Sequence, residues 1–154
     1  MALLITGPQG AGKTTVADVV ARSFDRGVHV EGDVFRRFVV AGRSEMTEDA
    51  PDDALAQLRL RYALARRTAQ EYEQAGFTVV VEDVVAGPLL REIAPGYAHV
   101  FVLFPAEDVV ATRAGSRHAP WVYRLFADAT PRLGTWIDNG RLTPEECAAA
   151  ILRR

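Results

Sequence analysis

Gly7-Pro-Gln-Gly-Ala-Gly-Lys13-Thr14 lies between an apolar run, Ala2 to Thr6, and a segment that repeats apolar residues at Val16, Ala17, Val20, Ala21 and Phe24. The octet fits G-x-x-x-x-G-K-[ST] at every defined position, and its flanks read as the strand and helix that this motif needs. With 12 Gly, one Lys and 13 Ser plus Thr in 154 residues, chance gives roughly one such match in two thousand chains. Glycines let the backbone curl until successive N–H groups converge on an anion, and the following helix adds about half a positive charge. Gly7, Gln9, Gly10, Ala11, Gly12, Lys13, Thr14 and Thr15 are therefore the expected contacts of a nucleoside triphosphate, ATP or alternatively GTP. Lys13 is expected on the β- and γ-phosphates and the Thr14 hydroxyl on Mg2+. Lys13 is also the only lysine, beside 17 arginines.

Outward from this loop, Val28 to Glu31, Phe77 to Glu82, Ala98 to Phe104 and Gly134 to Ile137 join Ala2 to Thr6 as five expected strands, alternating with helical patterns. The alternation predicts an α/β fold with a parallel sheet. The third and fourth runs are apolar on both faces, as central parallel strands are. Helices are expected over Lys13 to Phe24, Asp33 to Val40, Asp52 to Ala75, Pro88 to Ile93, Ala106 to Ser116 and Pro120 to Ala129. The longest carries Leu55, Leu58, Tyr62, Ala65, Ala69 and Tyr72 along one side, while its Arg59, Arg61, Arg66 and Arg67 read as a solvated face. Thr143-Pro-Glu-Glu146 is a capping box that opens a last helix to Leu152. Ala41 to Pro51 reads as an acidic, polar surface loop.

A length of 154 residues suits one domain, residues 1–154. Eighteen basic against 20 acidic residues, a net charge of −2 and 49% hydrophobic content describe an ordinary globular chain and argue against nucleic acid as a partner. The start, Met-Ala-Leu-Leu-Ile-Thr, has no basic region and soon reaches Gly7, so neither a secretory leader nor a membrane span is expected. Cys147 is the single cysteine and has no partner for a disulfide or zinc site, which suits a cytoplasmic protein. His29, His99 and His118 share no ligand spacing and read as satisfied histidines. Trp121, Tyr123, Phe126 and Trp136 read mainly as core, the first two also standing where they can border a planar base or acceptor.

Directly after the second strand comes Val30-Glu31-Gly32-Asp33-Val34-Phe35-Arg36-Arg37. In an open parallel sheet, ligands bind beyond the carboxyl ends of the strands, so these acids face the same crevice as the glycine loop. Glu31 can hold a water of Mg2+, and Asp33 can take or orient the hydroxyl proton of an acceptor, work worth about 10²- to 10⁴-fold. Arg36, one helical turn on, can neutralise an anionic or polar acceptor. Val81-Glu82-Asp83 closes the third strand, and either acid can serve the metal or the acceptor, with Asp83 preferred for the acceptor.

These segments resemble the small P-loop kinases that phosphorylate hydroxyls of metabolites or antibiotics. Glu31-Gly-Asp33-Val-Phe-Arg36 looks like the Asp-Gly-Asp-x-x-Arg segment of adenylylsulfate kinase, and Asp33 matches the position of the catalytic aspartate in chloramphenicol phosphotransferase. The chain departs in carrying Glu31 for the first Asp and in lacking the later Pro-Tyr-Arg segment, which counts against adenylylsulfate as acceptor. The resemblance implies a three-layer P-loop kinase fold with strand order 2-3-1-4-5 and helices on both faces. It also implies a lid near residues 113–120, where Arg113 and Arg117 fold over the phosphates and join Lys13 and Asp33 in catalysis. ATP with Mg2+ and a small-molecule hydroxyl acceptor are the implied ligands, and related small kinases are often homodimers. A nucleoside or nucleotide kinase, a nucleotide-gated switch and a zeta-type toxin acting on a sugar nucleotide stay open beside this reading.

Overall fold

Strand formation at the centre follows from side chains that suit burial on both faces. In a computed structural model describing residues 1–154, Thr78–Asp83 forms β3, and Val79, Val80 and Val81 are each at most 1% exposed. Val79 and Val81 pack on one face of the sheet with Tyr62, Ala65 and Ala69. Val80 packs on the other with Val16, Ala17, Val20, Cys147 and Ile151. The two-residue period of the strand thus feeds two separate cores, one per face.

The other strands are β1 (Ala2–Thr6), β2 (Gly27–Glu31), β4 (His99–Leu103) and β5 (Thr135–Ile137). All pairs are parallel, in the order β2-β3-β1-β4-β5, which is the order the resemblance implied. The helices are α1 (Lys13–Arg22), α2 (Asp33–Arg37), α3 (Asp52–Gln74), α4 (Leu89–Ile93), α5 (Glu107–Ala114), α6 (Pro120–Asp128) and α7 (Pro144–Leu152). α1 and α7 cover one face and α3 lies on the other. The capping box forms: the Glu146 amide donates to Thr143 Oγ1 at 3.1 Å, and the Thr143 amide donates to Glu146 Oε2 at 2.8 Å. No helix is long and apolar enough to cross a membrane.

Three helices stop two or three residues short of their expected ends. α2 ends at Arg37 because Phe38 and Val40 are 68% and 94% exposed, leaving a further turn with no apolar burial to support it. α1 ends at Arg22, where the amides of Ser23 and Phe24 turn back onto Val20 and Ala21. α5 ends at Ala114, and Gly115–Arg117 forms a separate 3-10 turn. Tyr72, expected inward, is 42% exposed and meets Phe77 edge to face. Burial pushes the thiol of Cys147, on the inward side of α7 in the second core, up to about 11, so it stays protonated and inert at neutral pH.

Strand order reverses around β1, so the loop after it opens into the crevice where ligands of such sheets bind. The segment after β2 and the last residues of β3 reach the same edge.

Candidate functional site

The residues from Gly7 to Thr15 connect β1 to α1 as the motif requires. Gly10 has φ 88°, and a Cβ there would stand 2.4 Å from the Val110 carbonyl oxygen and 2.9 Å from Ala114. Only glycine lets the loop lie this close to α5. The Ala11 amide donates to the Pro8 carbonyl at 3.1 Å, and Lys13 Nζ donates to the same carbonyl at 3.0 Å. Lys13 is 8% exposed. Burial lowers its pKa, opposed by the charges of Glu82 and Asp83.

Sequence reasoning missed Asn139, whose Nδ2 donates to the Ala11 carbonyl at 2.8 Å from the segment after β5. Its Oδ1 and Gln9 Oε1 are buried with no hydrogen-bond partner. Such orphaned acceptors mark a site built for a ligand or water that supplies donors. Arg113 points toward the same segment, donating to the carbonyls of Asn139 and Gly140 at 3.4 and 3.2 Å. Arg117, on the 3-10 turn, is close enough for its charge to lower the pKa of Lys13.

Which acid of the third strand meets the loop is decided by the pleat. Glu82 shares its face with Val80 and α1, and accepts from Thr14 Oγ1 at 2.8 Å. Asp83 points to the opposite face. Glu82 is thus the acid beside the threonine, with its pKa raised by burial against the opposing pull of Lys13 and the Thr14 hydroxyl. Glu31 lies directly across the ladder from Glu82.

Asp83 instead meets α3. Arg61 Nε donates to Asp83 Oδ2 at 2.8 Å, and Arg61 Nη2 grips the other oxygen. The Val84 amide also donates to Asp83 Oδ1, at 2.7 Å. Asp83 and Arg61 side chains are only 2% and 13% exposed, so the expectation that Arg61 belongs to a solvated face is corrected. The signal was present in the sequence: Arg61 falls three residues after Leu58 and four before Ala65, inside the inward stripe itself. A charge on an apolar stripe calls for a buried partner.

Arg61 also lies 3.4 Å from Asp33, through Nη1. Asp33 opens α2 and accepts from Arg36 Nε at 2.8 Å, while Arg36 Nη1 reaches Glu45 of the following loop at 2.8 Å. Partial burial would raise the Asp33 pKa, but the Arg36 hydrogen bond and the charges of Arg61, Arg36 and Arg37 outweigh it and hold the carboxyl below its ordinary value. Asp33, Arg36, Arg61 and Asp83 therefore form one charged cluster at the mouth of the crevice. Gly32 keeps it close, since a Cβ there would fall 2.0 Å from Asp83 Oδ2.

The AAA domain family model matches residues 3–118. No curated protein matches the chain in sequence. Among solved structures, the chain is similar to a sugar kinase from Janibacter sp. HTCC2649 at 19% identity and TM-score 0.66, covering 99% of this chain and 92% of that one. The Deinococcus radiodurans tunicamycin resistance protein aligns at 17% identity and TM-score 0.71, covering 99% and 93%. Shikimate kinase from Acinetobacter baumannii aligns at 15% identity and TM-score 0.63, covering 99% and 90%. At these identities the likeness is one of fold.

Proposed function

The chain belongs to the AAA domain family, whose match takes in the Gly7–Thr14 loop, and from that premise we propose that it is an ATP-dependent kinase of a small-molecule hydroxyl. The observation that carries the reading is the cluster of Asp33, Arg36, Arg61 and Asp83 beyond the carboxyl ends of β2 and β3, on the same edge as the phosphate-binding loop. A protein that only held or sensed a nucleotide would have no need of a carboxylate oriented by two arginines there. Kinases of small hydroxyl compounds among the similar folds support it.

The donor set fits a magnesium nucleotide. Thr14 Oγ1 donates its hydrogen bond to Glu82, which leaves the oxygen lone pairs free for a cation. Mg2+ bound there would neutralise charge on the β- and γ-phosphates. Lys13, released from the Pro8 carbonyl, would donate to the same phosphates. The acceptor oxygen attacks the γ-phosphorus, the bond to the β-bridging oxygen breaks, ADP leaves, and the hydroxyl proton passes to Asp33 Oδ. A depressed Asp33 pKa is no obstacle, because in a loose transition state the proton leaves late and the carboxylate acts chiefly by orienting the hydroxyl. Arg117 supplies further positive charge over the phosphates, and Arg36 meets a polar group of the acceptor.

Asp33→Asn should lower turnover about 10²- to 10⁴-fold while ATP affinity changes little. The check is transfer of labelled γ-phosphate to a panel of sugar, nucleoside and antibiotic hydroxyls, with calorimetry of ATP binding beside it. Full transfer by the variant would remove Asp33 from the mechanism, and label appearing only on nucleosides would favour a nucleoside kinase. Because the Asp33 carboxyl is held below its ordinary value, its protonation should put no acid limb on the rate between about pH 5 and 7. A limb there that persists in Glu82→Gln, which removes the site acid whose pKa burial raises, would assign the proton to another group.

A further inference from the structure

His29 and Glu31 are two residues apart on β2, so their side chains leave the same face of the strand. Glu82 joins them from β3, directly opposite Glu31. One ring nitrogen of His29 and one carboxylate oxygen of each glutamate lie within 4.8 Å of one another. His29 Nε2 is buried and has no hydrogen-bond partner, against the expectation of a satisfied histidine. Neither glutamate forms an ion pair. Two carboxylates facing each other across a ladder repel, and an orphaned buried nitrogen is costly. A single cation would relieve both.

We propose that His29, Glu31 and Glu82 form a site for a first-row transition divalent cation, occupied without nucleotide, in which Glu31 and Glu82 are direct ligands beside the magnesium position at Thr14 and His29 supplies the nitrogen. Imidazole nitrogen favours manganese, cobalt or zinc over magnesium, which prefers all-oxygen surroundings. Three protein ligands leave open positions for water. Glu82 also accepts the Thr14 hydroxyl, so a cation held here fixes the orientation of the acid nearest the nucleotide. The site goes beyond the kinase reading and needs no phosphoryl chemistry to be tested.

The experiment is titration of chelator-stripped, nucleotide-free protein with Mn2+, followed by the loss of the free-ion electron paramagnetic resonance signal. One Mn2+ per chain is expected at micromolar concentration, with nitrogen modulation from a bound imidazole in the pulsed spectrum. His29→Gln should weaken binding by about tenfold or more and abolish the nitrogen modulation. Asp33→Asn, which removes the carboxylate proposed to orient the acceptor and is not among the charges acting on Glu82, should leave Mn2+ affinity unchanged. That separates a failed kinase reading from a failed metal site. No binding by the native protein below millimolar Mn2+, or bound Mn2+ without a nitrogen signature, overturns the proposal. The native protein's spectrum decides even if the His29 variant does not fold.

Discussion

Arg61→Leu should unfold at a far lower urea concentration than the native chain, with about 3–5 kcal/mol of stability lost. The reason is what stays behind. Asp83 is 2% exposed, and without Arg61 its carboxylate keeps only the Val84 amide as a hydrogen-bond donor. An uncompensated buried charge costs more than the pair contributes when intact, because desolvating both ions already offsets much of their attraction. Arg61→Leu with Asp83→Asn should therefore recover most of the loss, the asparagine still accepting from Val84. Urea midpoints of the native, single and double variants close the cycle. If the single variant loses less than about 1 kcal/mol, as an exposed pair would, the bridge is solvated and Asp83 is free to touch an acceptor, as the sequence suggested. The same substitution removes one of the charges that hold the Asp33 carboxyl low. The acid limb of the transfer rate should then move to higher pH, an effect that lost stability alone does not produce.

The burial of Arg61 was legible in its stripe, but its partner Asp83 marks where reading the sequence reaches its end. β1, the glycine loop and α1 were legible because their signal is local: an apolar run, a spaced set of glycines and a helical repeat, each interpretable from neighbours in the chain. β3 and β4 were legible for the same reason, and five apolar runs with helices between them leave few topologies to choose from. What a side chain does at the crevice depends instead on elements distant in sequence. Glu82 and Asp83 are adjacent, yet the pleat sends one to Thr14 and the other to Arg61, and no spacing rule says which face will carry α1. His29 meets Glu82 only once β2 and β3 pair in register. Asn139 reaches the Ala11 carbonyl across 128 residues of chain. Helix ends were overextended where periodicity ran on past the last buried contact, as at Phe38 and Val40.

Lys13→Met is expected to reduce phosphoryl transfer by about 10³-fold, the loss of one charged donor aimed at the transition state, with the fold intact. Methionine matches the length of the lysine and its apolar stem, and the ammonium it removes is one that burial disfavours. Thermal stability without nucleotide should hold or rise slightly, which distinguishes this variant from Arg61→Leu, where activity and stability fall together. The direction follows from the partners. In the nucleotide-free protein Lys13 Nζ has one hydrogen bond, to Pro8, and nearby Glu82 and Asp83 only partly offset its desolvation. A triphosphate brings several negative charges to the same nitrogen, so its pKa, held below the ordinary lysine value in the free protein, should climb on binding. Since Lys13 is the only lysine, a single isotope-labelled lysine resonance reports that titration without overlap. A lysine pKa that stays put when ATP is added, or a Met variant that transfers phosphate normally, would take the loop out of catalysis whatever its sequence.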